Sequence, residues 1–277
     1  VAGPTLASTD ARAGTPIPKY IAAAVADPAR PAADRARDVD RKPAQCIAFA
    51  GLRRGDRVVD LIPGGGYFTR ILSSVVGPKG HVIAVAPPRR ADAPADKPDP
   101  AAPVQAIAAD SHYGNVSVSV ERVTELSLPE TVDLVWTSQN YHDIHNVPNV
   151  DLGAFNKTVF RALKPGGIYI VLDHAAEAGS GFRDTATLHR IDAEAVKKEV
   201  LAAGFVFAQS DRHSLTRGIR SGAARQDRPI PAEIQQTEIT NKGVRFIFFA
   251  SSTKINLTPF SVTLFSIGPG RTSTSPS

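Results

Sequence analysis

The stretch Val58–Leu72, VVDLIPGGGYFTRIL, decides how the chain is read. Four apolar residues interrupted by one acid, Asp60, form a short run suited to a buried strand. Three glycines, Gly64, Gly65 and Gly66, follow Pro63. Then Phe68, Ile71, Leu72 and Val75 recur at helical spacing. A strand, a tight glycine turn and a helix is an arrangement in which backbone can approach a ligand with no Cβ in the way. The free N–H groups and positive dipole end of the helix suit a carboxylate or phosphate.

Outward from this unit, strands and helices alternate. HVIAVA (81–86) reads as a second strand, NVSVSVERV as a third and TVDLVWTS, ending near Ser138, as a fourth. VDLGAFNKTVFRAL has one apolar helical face, KPGG is a sharp turn, and IYIVLDH is a buried strand. DAEAVKKEVLAAGF is a helix capped by Asp192 and ended by Gly204. Alternation of this kind predicts an α/β, Rossmann-like, doubly wound and mostly parallel sheet. PPRRADAPADKPDPAAP reads as a long loop, and prolines 28, 31 and 43 break the helical pieces before the first strand. Residues 1–19 read as a tail, 20–210 as the domain, and 211–277 as an atypical C-terminal segment, poorly ordered or a small β appendage. There the regular pattern gives way to a polar stretch and then to an aromatic, Ser/Thr-rich one. Such a segment could also come from an altered reading frame.

The 277 residues are 42% hydrophobic and 21% charged, with a net charge of +5. That bounds the chain to one large globular domain, with or without an appendage. The mild positive charge is scattered, with one cluster near Arg30–Arg41 and another near Arg212–Arg228, neither interleaved with aromatics, so no nucleic-acid partner is assigned. No apolar run reaches the ~18 residues of a membrane span. The single cysteine, Cys46, reads as a small buried apolar residue. Around Thr5-Leu6-Ala7 the small and apolar residues read equally as the end of an export signal or as a trimmed tail. The compartment is accordingly periplasmic if exported, otherwise cytoplasmic. The oligomeric state is open.

A dinucleotide site would need G-x-G-x-x-G and an acid ending the second strand. Thr69 takes the third glycine's place and Ala86 or Pro87 the acid's. Asp60 followed by Gly64-x-Gly66 resembles instead the first motif of the class I S-adenosylmethionine-dependent methyltransferases. The resemblance extends over roughly residues 40–210. GLRRGDRVVDL is similar to the family's lead-in to strand one, and VDLVWTSQNYHDIHN to its fourth strand and following loop. FRALKPGGIYIVLDH is similar to its L-K-P-G-G signature, and VKKEVLAAGF to its last helix. The wording LIPGGGYFT, SQNYHD and LHRID resembles a bacterial branch of predicted methyltransferases that often carry export signals.

The resemblance implies S-adenosylmethionine as cofactor, held by Asp60, Pro63, Gly64, Gly65, Gly66, Thr124, Glu125 and Ser138. It implies transfer of a methyl group to a small-molecule acceptor. The family's first glycine is Ile62 here, the second-strand acid is absent at Ala86, and the acid after strand three falls on Thr124 beside Glu125. In a fold of this kind ligands sit beyond the carboxyl ends of the strands. The densest polar loop there is SQNYHDIHN, with His142 as base or acceptor contact and Asn140 and Tyr141 lining the pocket. Asp173 and His174 end the fifth strand at the same edge. The spacing of His142, Asp143 and His145 could bind a metal, but an acceptor-loop or surface role is preferred and no metal ligand is assigned. His189 reads as a capping or packing residue. The alternative function is a non-catalytic binding protein that keeps the fold, which export would favour because S-adenosylmethionine is made in the cytoplasm. A dinucleotide oxidoreductase comes third.

Overall fold

The computed structural model describes residues 17–210 and 260–266. The Thr5-Leu6-Ala7 reading and residues 211–259 and 267–277 lie outside the described residues. Four short helices open the chain: α1 (Lys19–Val25), α2 (Ala32–Ala36), α3 (Asp38–Arg41) and α4 (Pro43–Ala50). Pro31 stands at the N-cap of α2 and Pro43 inside the first turn of α4, where a missing N–H costs nothing. Then come β1 (Arg57–Leu61), α5 (Tyr67–Val76), β2 (His81–Ala86), α6 (Ala102–Ala109) and β3 (Val116–Val120). The second half runs β4 (Val132–Ser138), α7 (Tyr141–Ile144), α8 (Leu152–Ala162), β5 (Leu163–His174), α9 (Ala193–Ala202), β6 (Val206–Ser210) and β7 (Phe260–Ser266).

The seven strands lie in the order β3-β2-β1-β4-β5-β7-β6. The first five are parallel, and β7 is antiparallel to both β5 and β6. With right-handed crossovers, the reversal of direction between β1 and β4 puts helices on both faces and opens a crevice at their carboxyl ends. The expected doubly wound, mostly parallel sheet is therefore present. Three details differ from the sequence reading. The KPGG stretch does not end an element: β5 runs through it with a register irregularity opposite Val132–Leu134, and Gly166 takes φ 79°. The Pro/Ala-rich insertion ends in α6. Phe260–Ser266, within the segment set apart at residue 211, forms a strand of this sheet.

β1, β2 and β4 are almost wholly buried, as strands covered on both faces should be. Trp136 in β4 is fully buried and packs against Phe68 of α5, ring centroids 4.8 Å apart. Its indole N–H has no hydrogen-bond partner among the described residues. Asp192 does more than cap α9. Besides accepting from the Glu194 amide at 3.0 Å, it accepts from those of Gly179 (2.8 Å) and Gly181 (3.2 Å), which clips the loop after β5 onto the helix start.

The packing at Trp136 yields a prediction. Trp136→Ala should lose about 3–5 kcal/mol by denaturant unfolding. Trp136→Phe should cost less than half of that, since it keeps a ring and removes an N–H that has no partner among the described residues.

Candidate cofactor cleft and the histidine cluster beside it

The turn after β1 is built on an uncommon conformation. Ile62 follows the strand with φ 54°, in the left-handed region that a β-branched side chain rarely enters. It is the position where the resembled family has glycine. The amide of Ile62 still donates to the Val85 carbonyl (2.9 Å), which extends the ladder by one bond. Pro63 accepts from the Gly66 amide at 2.9 Å, and Gly64 and Gly66 also have positive φ. Asn140, from the loop after β4, donates its side-chain amide to the carbonyls of Leu61 (3.2 Å) and Ile62 (2.9 Å). Gln139, just before it, also has positive φ, at 60°.

These two turns face one another across a cleft of about 200 Å³. Asp60, Ile62, Pro63, Gly64 and Gly65 line it from the first turn, and Ser138, Gln139 and Asn140 from the second. A Cβ on Gly64 or Gly65 would meet nothing within 4 Å, so the floor is open where a ligand needs it. Ser138 Oγ is buried and has no hydrogen-bond partner among the described residues. A buried hydroxyl left in this way at a cleft wall fits a ligand atom.

The third wall comes from the N-terminal helices through Asp34, Arg37 and Arg41. Arg37 and Arg41 stand over the Tyr67 ring, at 5.4 and 4.5 Å from its centroid. Arg41 also donates to the Gln139 side chain. Behind them the fully buried Arg30 forms a paired bond to Asp38, both contacts at 2.8 Å, and Asp38 accepts from the Tyr67 hydroxyl. Nothing in the motif spacing pointed to these three wall residues. The only signal was the basic cluster between Arg30 and Arg41.

Asp60 is 2% exposed and accepts from the Thr69 hydroxyl at 2.7 Å. Burial pushes its carboxyl up to about 7, and the Thr69 hydrogen bond only partly offsets this. Thr69 thus uses the third-glycine position to steady the acid.

The other sequence-assigned residues are placed as follows. Gly66 is the N-cap of α5 and is not among the lining residues. Its role is close packing, because a Cβ there would come within 2.1 Å of Ile107 on α6. Thr124 and Glu125 form a short 3-10 turn after β3 and do not line the cleft; Glu125 is exposed and pairs with Arg122 at 3.5 Å. Tyr141 does not line it either. It is fully buried, with its hydroxyl bonded to Asn156 (2.8 Å) and Glu199 (3.1 Å), because the helix begun at residue 141 turns it into the core. His142 is buried beside the cleft rather than in its lining. Its Nδ1 is 2.7 Å from Asp173 Oδ1 and its amide donates to Asp173 Oδ2 at 2.8 Å. Burial pulls the imidazole's pKa down, but Asp173, helped by Asp143, outweighs this and leaves it raised. His145 turns away, to Glu199 at 3.0 Å and to the Phe182 ring at 4.1 Å. His189 takes no capping place; its ring lies 5.5 Å from that of His142. Gln139 connects cleft and cluster, its Nε2 lying 3.0 Å from His174 Nε2.

No family model matches the chain. A ubiquinone/menaquinone biosynthesis C-methyltransferase from Pasteurella multocida is 33% identical over 130 residues, 46% of this chain. The chain covers 43% of that relative's length. Among solved structures, an Aquifex aeolicus protein described as a SAM-dependent methyltransferase is 21% identical, with TM-score 0.50, over 64% of this chain and 86% of that one. The complex of the Haloferax volcanii Trm112 methyltransferase activator with a methyltransferase gives 17% identity and TM-score 0.52 over 91% and 98%. The structural likeness to these neighbours shows the fold, and the strand order, glycine turn and cleft at the β1–β4 switch point are its features in this chain: it has the class I S-adenosylmethionine-dependent methyltransferase fold.

Proposed function

We propose that the protein is an S-adenosylmethionine-dependent methyltransferase acting on a small-molecule acceptor. The observation that carries this reading is the cleft itself. It joins a buried carboxyl, an open glycine floor and an unpartnered buried hydroxyl at the carboxyl ends of the two central strands. These residues fit the cofactor's amino-acid end. Asp60 and Asp34 are suited to its ammonium, Arg37 and Arg41 to its carboxylate, and Ser138 to a hydrogen bond. No carboxylate ends β2, where buried Ala86 stands, so the ribose end lacks the grip the resemblance implies.

When bound, the cofactor supplies a methyl group already activated on a sulfonium. The chain's part is to hold the acceptor in line and keep water out, which for well-oriented groups accounts for much of such a barrier. Asn140 fixes the two turns that border the cleft, so it is a positioning residue in this scheme. None of the lining residues is a histidine.

Asp60 makes the reading sensitive to pH. A ligand ammonium favours the ionised carboxylate, whose pKa stands at about 7. Calorimetric affinity for S-adenosylmethionine or S-adenosylhomocysteine should therefore rise up to about tenfold between pH 6 and pH 8. Asp60→Asn should bind weakly at both. In the unliganded protein the sign is opposite. The folded pKa exceeds the unfolded one, so stability falls as pH rises through roughly 4 to 7. Asp60→Asn should then be more stable than the wild type at pH 8, by about 2–4 kcal/mol at most, with the advantage nearly gone at pH 4.

The cleft floor gives a steric test. Gly65 has an ordinary φ and open space at its Cβ. Gly65→Leu should lose at least tenfold in cofactor affinity while its melting temperature stays within a few degrees of the wild type. Folded wild-type protein that binds neither ligand up to millimolar concentration would refute the proposed function.

A further inference from the structure

Beyond the cleft, the carboxyl edge of the sheet gathers three metal-ligating side chains from two separate segments. His142 and Asp143 lie on α7, directly after β4, and His189 lies on the loop between β5 and α9. His142 Nε2 is 3.3 Å from Asp143 Oδ1, and His189 Nδ1 is 3.5 Å from the same oxygen. One ligand atom from each of the three lies within 4.8 Å of the others.

The protons make this arrangement informative. Asp173 accepts from the amides of His142 and His174, and its Oδ1 lies 2.7 Å from His142 Nδ1. A carboxylate in that position fixes the imidazole proton on Nδ1 and leaves the Nε2 lone pair pointing outward. That lone pair meets a carboxylate oxygen, and the same oxygen meets a second imidazole nitrogen. Three acceptors converge, and either extra protons or a cation must sit among them. A histidine whose far nitrogen donates to a buried carboxylate is the usual form of an oriented metal ligand.

The loop that carries His189 is held in place. Ala175 and Ile191 form a parallel bridge, Ile191 donates to the His174 carbonyl at 2.9 Å, and Arg190 donates to the Ala175 carbonyl at 2.9 Å. His189 itself takes φ 51° between these anchors. The side chain of His142 is 4% exposed, against 55% for Asp143 and 66% for His189. The group thus has one rigid buried anchor and two ligands open to solvent.

We propose that His142 Nε2, Asp143 and His189 Nδ1 form a binding site for a divalent transition-metal ion. Two imidazoles and one carboxylate suit zinc, iron(II), cobalt or nickel, whereas magnesium and calcium prefer all-oxygen sets. Three protein ligands leave at least one coordination position for water or another small oxygen donor. Asp173 is the positioning residue. The site does not rest on the methyltransferase reading.

The test uses untagged, full-length protein stripped with chelator. Cobalt(II) is followed by its visible absorption and zinc by calorimetry, at pH 7.5. The expected result is one saturable equivalent per chain, with millimolar magnesium failing to compete. His189→Ala and Asp143→Ala, both at exposed positions, should each lose tenfold or more in affinity without a change in melting temperature. Asp173→Asn should lose about 10–100-fold. An absence of saturable binding to the wild type, full binding retained by both exposed variants, or equal competition by magnesium would each overturn the site. Titration of the same preparations with S-adenosylmethionine keeps the two readings separate, because loss of one ligand leaves the other to be measured.

Discussion

The side-chain amide of Asn140 holds together the ends of the two central strands. The carbonyls of Leu61 and Ile62 lie where β1 ends and the glycine turn begins, and backbone acceptors buried without a partner are costly. Asn140 satisfies both from across the switch point. Ile62 can then stay in a left-handed conformation that its own side chain disfavours. The direction of the glycine turn, the exposure of Gly64 and Gly65 and the position of Asp60 all follow from that bracing. Glycine at residue 62 would reach the same conformation freely, and here a neighbouring loop provides the constraint instead.

Charge is arranged in two grades around the cleft. Arg30 is deeply buried, and both of its terminal nitrogens are paired, by Asp38 in fork geometry and by the Val25 carbonyl, with the Tyr67 ring at its face. Asp60 is equally buried and, among the described residues, its carboxyl has only the Thr69 hydroxyl as a partner. The first arrangement is structural: it anchors the N-terminal helices to α5 through Tyr67. The second stores an electrostatic cost that a bound cation can relieve. A buried acid with a weak partner at a cleft wall differs in this way from an acid that serves packing alone.

Much of the fold was legible because the signals were periodic. The apolar strands at 58–61, 81–86 and 132–138, and the helical spacing of Phe68, Ile71, Leu72 and Val75, correspond to elements in the structure. The Asp192 cap was legible for the same reason, since its side chain acts within a few residues. Asp60, Pro63, Gly64, Gly65, Ser138 and Asn140 could be placed at the cleft because motif and strand end coincide there. Long-range features could not be read. Tyr141 looked like a pocket residue until the turn of α7 directed it at Glu199, and Gly66 looked like a ligand contact until α6 came against it. His189 stands 47 positions from His142 in a loop without periodicity, and only the folded β5–α9 connection brings them together.

The position of β7 has a consequence for the order of assembly. β6 ends at Ser210 and β7 begins at Phe260, yet β7 lies between β5 and β6. During synthesis, β5 and β6 are therefore complete well before the strand that joins them. Until residues 260–266 emerge, the outer side of β5 lacks the partner strand it has in the finished sheet. Unpaired edges of this kind invite association with other chains. Loop closure over such a separation is also among the slower steps of folding. Closing the sheet is thus a late event, and until then β5 carries an open edge.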